Sequence, residues 1–427
     1  MKTDGLNAQQ KEAILYNEGP MLVLAGAGSG KTKVLTNRIV NLIENGVSPY
    51  NILAITFTNK AAKEMKERVY NLIGKEVFNI QISTFHSFGL RILKDYYKEL
   101  GYSKTFTILD SEDSLTAIKS CLKELNADPK IYNPKGIRSK ISGYKNEMIS
   151  ASESLKFAIG DYDQMVSKVF AKYQNKLVTN NSIDFDDLLL LPIRLFKEYP
   201  NILNDFQEKY KYLLIDEYQD TNEVQYTLSK MISSKYKNIF VVGDVDQSIF
   251  SFRGANYRNI LNFEKDYKDA KLIKLEENYR STSSILNAAN AVIKNNSQRK
   301  EKNLWTAKGE GDKVKYLRCY DERHEATSVI SEIKRLHNEG TAYNDVAILY
   351  RTNAQSRIAE EELLRENIPY KVVGSFYFYG RKEIKDLISY LKLICNEKDD
   401  FSLLRAINEP KRGIGQKTLD NLSAKAL

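Results

Sequence analysis

The most reactive stretch of this chain reads Ala25, Gly26, Ala27, Gly28, Ser29, Gly30, Lys31, Thr32. Glycines at alternate positions let backbone N–H groups turn inward toward an anion. A lysine and a hydroxyl directly after the last glycine add a cation and a ligand for a hard divalent metal. This set suits a nucleoside triphosphate, with Lys31 reaching the β- and γ-phosphates and Thr32 holding Mg²⁺. The bland alternative is a glycine turn that merely starts a helix, and the Gly-Lys-Thr ending argues against it. Phosphate binding alone names no reaction, since kinases, GTPases and motors share such a loop.

A second group of candidates follows the apolar run Tyr212–Ile215, which ends in Asp216 and Glu217. A carboxylate at the C-terminal edge of a parallel sheet can hold Mg²⁺, the part expected of Asp216. Glu217 beside it can polarise a water, which points to hydrolysis rather than transfer. Asp184, Asp186 and Asp187 have similar chemistry, but no strand leads into them. They read as the N-cap region of a helix.

These groups need a scaffold. Met21–Ala25 reads as a strand, followed by the glycine loop and a helix over residues 31–45. A strand at 52–57, a helix at about 61–73 and a strand at 80–83 continue the alternation. That order predicts an α/β fold with a parallel sheet covered on both faces by helices. From about 106 to 189 the chain turns polar and helix-forming, which marks an insertion. Strand patterns resume at 212–215, 239–242 and 272–275. A second α/β unit is expected from strands at 313–317, 346–350 and 370–373 and helices at 322–338 and 354–366, with helix after Arg381.

With 427 residues the chain is long enough for several domains. Its three scattered cysteines, with no CxxC pair, leave no disulfide framework or zinc site to expect. The N-terminus MKTDGLN has no apolar leader, and no apolar run is long enough to span a bilayer, so a cytoplasmic protein is expected. A net charge of +9 suits a polyanionic partner. Some of the 27 tyrosines and 17 phenylalanines could stack on bases, although most belong in a core.

DEYQDTN at 216–222 resembles the UvrD/Rep/PcrA family of superfamily-1 DNA helicases. Other family signatures stand in the family's order: LNAQQ at 6–10, ITFTNKAAKEM at 55–65, STFHSFGLRIL at 83–93, VVGDVDQSIFSFRGA at 241–255, LEENYRST at 275–282, LYRTNAQSR at 349–357 and GSFYFYGRKEIKD at 374–386. The resemblance covers essentially the whole chain. It implies a RecA-like motor domain from 1–105 and 190–280, a helical insertion at 106–189, part of a second RecA-like domain at 281–378, and the start of a further helical insertion at 379–427. Nothing before Leu427 resembles the family's motifs V and VI, so the second motor half is expected to be incomplete.

The resemblance also implies roles. Gln10 would read adenine and Tyr279 would stack on it. Gln247 would sense the γ-phosphate, and Arg280 would stabilise charge on the transferred phosphoryl group. Phe57, Asn59, Phe85 and His86 would line a DNA track, with Phe250, Phe252 and Arg253 stacking on or holding bases. Arg351 and Asn353 are further candidates for DNA contact, although Arg351 reads equally well as a solvated surface arginine. Outside their motifs, Phe85 and Phe252 would be assigned to a core and His86 to a structural role. Phe250 and Phe252 stand where the family commonly has tyrosine and tryptophan, which keeps stacking and loses the polar handles; Gly380 replaces a common glutamate, and nothing in the sequence explains it.

The expected function is an ATP-dependent helicase moving 3′→5′ on single-stranded DNA, with Mg²⁺ and ATP as cofactors. Expected partners are single-stranded and 3′-tailed duplex DNA, with repair or replication proteins and no membrane. Two alternatives stay open: the motor subunit of a RecB/AddA-type helicase–nuclease, and a DNA-binding ATPase fragment without unwinding activity. RTNAQSR and RKEIKD favour the PcrA/UvrD branch of the family over the first of these.

Overall fold

The computed structural model describes residues 5–251, 254–296, 300–373, 381–415, 417–419 and 421–422. The chain divides into two compact units, Met1–Asp312 with Ser389–Leu427, and Lys313–Ile388.

The first unit is built on a six-stranded sheet. Its strands are β1 (Met21–Ala25), β2 (Ile52–Thr56), β3 (Gln81–Thr84), β6 (Tyr212–Ile215), β7 (Ile239–Gly243) and β8 (Lys271–Leu275), in the order β3-β2-β6-β7-β1-β8. Every pairing is parallel. The continuous apolar runs follow from this. Leu22 and Leu24 of β1 face one core, while Met21, Val23 and Ala25 face the other. The same alternation runs through β2, β6 and β7, as two-sided burial of a parallel sheet requires.

Helices cover both faces. Those before the insertion are α1 (Ala8–Leu15), α2 (Lys31–Glu44), α3 (Asn59–Ile73) and α4 (Phe85–Asp95). Asn7 and Gln10 form a reciprocal capping box at the start of α1. The far end of α1 is tied to α2 by Arg38, which is 2% exposed and donates to the carbonyls of Ala13 and Ile14. Its guanidinium lies 4.6 Å from the Phe240 ring centroid, and burial lowers its pKa to about 10.

The insertion is helical and has a core of its own. It contains α5 (Ser111–Glu124), α6 (Pro134–Asn146), α7 (Ala151–Lys156) and α8 (Gly160–Thr179), closed at its base by the short parallel pair β4 (Thr107–Ile108) and β5 (Ser182–Ile183). The chain then passes through α9 (Asp187–Glu198) and α10 (Pro200–Lys209) back to the sheet, continuing with α11 (Glu223–Ser233), α12 (Arg258–Leu261), α13 (Phe263–Asp266) and α14 (Ser283–Ile293).

Where the insertion rejoins the sheet, the acidic cluster turns out to be more than a helix start. The Asp187 N–H donates to Asp184 Oδ1 at 3.0 Å, which is a capping contact, whereas Asp186 at the N-cap makes no side-chain cap. Asp184 and Asp187 also enclose Lys145 of α6, at 2.7 and 2.8 Å, with its side chain 2% exposed. The Tyr173 hydroxyl donates to Asp184 at 3.0 Å. Lys145→Met is expected to cost about 3–5 kcal/mol of stability, because it strands buried carboxylates. Burial, and then the neighbouring Asp184, push Asp186 up to about 6 and Asp187 up to about 7. A carboxyl whose pKa is raised by folding costs stability progressively as pH rises from its unfolded value of about 4 to its folded value. The deficit of the variant should therefore shrink as pH falls from about 8 to about 5. Denaturant midpoints across that range are the measurement, and a small, pH-independent deficit would count against the enclosure.

The second unit contains α15 (Glu322–Asn338) and α16 (Ser356–Arg365), with a small core of Ile330, Ile333, Leu363 and Ile368. The three expected strands at 313–317, 346–350 and 370–373 do not form among the described residues. Tyr316, Leu317, Leu349 and Val373 are exposed. Apolar β-type runs mark a segment able to pair, but a strand exists only when a neighbour supplies its ladder of hydrogen bonds. Beyond lie α17 (Lys382–Cys395) and α18 (Asp400–Ala406). Among the described residues no helix is long and apolar enough to cross a membrane.

Candidate nucleotide site and adjoining groove

Parallel strands gather their C-terminal ends at one edge, and the candidate residues lie there. β1 runs into the glycine loop, and α2 begins at Lys31 with Gly30 as its left-handed N-cap at φ 86°. Gly28 is left-handed too, at φ +67°, and a Cβ there would lie 2.6 Å from Asn278 Nδ2. Only glycine suits both the turn and that approach. The α2 N-terminus adds a positive dipole end for an anion.

Asp216 and Glu217 directly follow β6, two strands from β1, with β7 between. Lys31 Nζ donates to Glu217 Oε2 at 3.2 Å and to Gln247 Oε1 at 3.3 Å. So the loop cation, the candidate water-polarising acid and the candidate γ-phosphate sensor meet at one ammonium. Asp216 is 7% exposed; burial, and then the charge of Glu217, push its carboxyl up to about 6, against the pull of Lys31. A buried acid with a like charge beside it suits a cation, and this is the observation on which Mg²⁺ fits. Among the described residues no group of three or more His, Cys, Asp or Glu could hold a metal. Asp216 and Thr32, the second residue of α2, would hold the ion together with phosphate oxygens.

The far wall is built by residues 276–281. Asn278 Nδ2 donates to the Ala27 carbonyl at 2.6 Å, and the Tyr279 N–H to that of Gly28 at 2.9 Å. Asn278 Oδ1 accepts from the N–H groups of Arg280 and Ser281. The exposed Arg280 side chain is thereby anchored through its backbone beside the loop. Tyr279 is also exposed, and its hydroxyl donates to Glu277 Oε2 at 2.6 Å and accepts from Asn7 Nδ2 at 3.0 Å. Gln10, 1% exposed, donates through Nε2 to the Ser29 carbonyl at 2.9 Å and accepts from the Asn7 N–H at 3.2 Å. Its amide thus braces the phosphate loop.

Beside this site runs a groove of about 1120 Å³, lined in part by Phe57, His86, Phe185 and Phe250. Phe57 directly follows β2 and Phe250 follows β7, with ring centroids 5.0 Å apart. His86 stacks on Phe185 at 3.9 Å, and burial lowers its pKa to about 4, so it presents a neutral ring at neutral pH. Phe85 also reaches the groove but is 4% exposed and belongs to the core. Asn59, exposed at the start of α3, accepts from Thr84 and Ser87 at 3.4 Å. Phe252 and Arg253 lie outside the described residues. Arg351 and Asn353 are exposed residues of the second unit.

Residues 6–268 match the UvrD/REP helicase N-terminal domain, and residues 273–427 the UvrD-like helicase C-terminal domain. The chain belongs to the UvrD/REP helicase family. It is 52% identical, over 99% of its own length, to the ATP-dependent DNA helicases PcrA of Staphylococcus aureus strain Mu50 and Staphylococcus epidermidis strain RP62A. It spans 58% of the length of those relatives.

In this UvrD/REP chain, reading the motifs missed several groups. Asn278 stands inside ENYRST, but nothing in that motif signals its contact with the Ala27 carbonyl. Gln219, within DEYQDTN, donates to Glu217 Oε2 at 2.8 Å and accepts from the Asp244 N–H at 2.9 Å. The Asn7–Gln10 capping box was legible as Asn-x-x-Gln before a helix. Phe185 had no signal beyond its acidic neighbours.

Proposed function

We propose that this chain is the nucleotide-binding part of an ATP-driven motor that steps 3′→5′ along single-stranded DNA and, in its whole protein, unwinds duplexes in repair or replication. One observation carries the reading. The phosphate loop, the Asp216/Glu217 pair and the Phe57/Phe250 pair all spring from neighbouring strand ends of one sheet. Gln247 touches Lys31 on one side and lies three residues from Phe250 on the other. A shift at the γ-phosphate therefore has a short covalent route to the groove. The direction of travel and the cellular role come from the family likeness.

Bound Mg²⁺ supplies charge neutralisation of the phosphates. The residues of this chain do the rest. Lys31 and the loop N–H groups bind the phosphates, Glu217 orients and polarises water, and Arg280 meets charge developing on the γ-phosphoryl group. The groove rings accept bases through their π-faces, which every base offers, so binding is expected to be indifferent to sequence.

The test is ATP hydrolysis with and without single-stranded DNA, together with strand displacement by the whole protein on 3′-tailed and 5′-tailed duplexes. Stimulation by DNA and preference for the 3′ tail are expected. Phe57→Ala and Phe250→Ala should each weaken single-strand binding by about 1–3 kcal/mol, equally for dT and dA oligomers. Hydrolysis indifferent to DNA, or alanine variants that bind as before, would overturn the reading.

A further inference from the structure

Behind Gln247 lies a buried ionic arrangement that the motifs leave unassigned. Gln247 Nε2 donates to Asp244 Oδ2 at 2.6 Å, and Asp244 is 2% exposed. The other oxygen of Asp244 accepts from Lys302 Nζ, whose ammonium also donates to Asp246 Oδ2 at 2.6 Å. The Lys302 side chain is 5% exposed. It arrives from 58 residues along the chain. The segment that carries it is fastened to the wall of the nucleotide site. Asn303 N–H donates to Glu276 Oε1 at 2.8 Å, Trp305 N–H to the Glu276 carbonyl at 3.1 Å, and Asn278 N–H to the Trp305 carbonyl at 2.7 Å.

An amide side chain has a donor end and an acceptor end, and its neighbours decide which way it points. An ionised Asp244 only accepts, so it takes Nε2 of Gln247; Lys31 only donates, so it takes Oε1. The orientation of Gln247 thus depends on Asp244 staying ionised in a place where a lone carboxylate is costly. Lys302 supplies the buried counter-charge.

We propose that Lys302 is a positioning residue for the γ-phosphate sensor, fixing through Asp244 the direction in which the Gln247 amide faces the nucleotide. The proposal rests on the ATPase reading of the site. Its effect belongs to the γ-phosphate and not to the rest of the nucleotide, which separates it from a merely structural role.

The test is equilibrium binding of ADP–Mg²⁺ and of AMPPNP–Mg²⁺ to the chain, with thermal melting as the folding control. Lys302→Met is expected to shift the ratio of the two affinities toward ADP by about tenfold, the size of one lost charge-assisted hydrogen bond, with ADP binding near its original strength. Gln247→Ala should give the same shift, and the double variant no more than either. If Lys302→Met does not fold, Asp244→Asn with Lys302→Met takes its place. It removes the charge of Asp244, the more deeply buried of the two carboxylates on Lys302, and an amide at 244 both donates and accepts, so it no longer dictates the Gln247 orientation and the same shift is expected. A ratio that stays put, equal loss of both nucleotides, or additive effects in the double variant would overturn the proposal. An unsubstituted chain that bound neither nucleotide would instead overturn the ATPase reading beneath it.

Discussion

Lys31→Ala is expected to bring ATP hydrolysis to background and leave single-stranded DNA binding intact. The Lys31 side chain is 11% exposed at the N-terminus of α2, and its ammonium is shared by Glu217 and Gln247. A triphosphate entering this edge meets the Lys31 ammonium, which can follow its terminal phosphates, and alanine removes it. The loss compounds locally. Lys31 is also the stronger of two positive charges, with Arg68, that counter the upward shift of Asp216, which burial and Glu217 drive. Without it the acidic pair repels phosphate, so binding of ATP–Mg²⁺ should weaken along with turnover. The groove rings Phe57 and Phe250 lie beyond the C-terminal ends of β2 and β7 and pack on each other, so their stacking on bases is expected to survive loss of the lysine. Isothermal titration with nucleotide and fluorescence anisotropy with an oligonucleotide separate the two arms. Turnover near that of the unsubstituted chain would show that the ammonium is a structural partner of Glu217 alone.

Arg280→Ala is expected to lower kcat by about 10³–10⁵ while nucleotide affinity changes little. The structure makes this substitution unusually clean. The Arg280 N–H is held by Asn278 Oδ1 at 2.8 Å, and its carbonyl accepts from Lys308 Nζ at 3.1 Å. Asn278 in turn holds the Ala27 carbonyl. Alanine therefore removes a guanidinium from a loop whose course is set by its backbone. A group that engages charge only as the phosphoryl transfers acts on the transition state and not on the bound ground state. Arg280→Lys keeps the charge but loses the planar fork, and should recover only part of the rate. Steady-state kinetics with DNA present, alongside direct nucleotide binding, decide the matter. A change confined to KM would mean that Arg280 binds ground-state phosphate.

The sequence alone determined whatever is local. The glycine loop, the helix it opens and the apolar run into Asp216 and Glu217 are contiguous, so type and spacing suffice to read them, and the sheet strands agree with the apolar runs to within a residue or two. Two-sided burial made those runs continuous and therefore visible. Tertiary structure decided which distant groups meet. Lys145 looks like any lysine of a polar helix until Asp184 and Asp187 close over it, and Lys302 has no motif to announce that it reaches Asp244. A buried charge is specified by its partners, and those lie 39, 42 and 58 residues away. Only the three-dimensional arrangement sets Phe57 beside Phe250, because the order of strands brings β2 and β7 to flank β6. The converse case is the second unit, where apolar runs at 313–317, 346–350 and 370–373 carry the composition of strands without pairing among the described residues. Propensity resides in a segment, but a strand is a relation between two backbones, and no single segment encodes its neighbour.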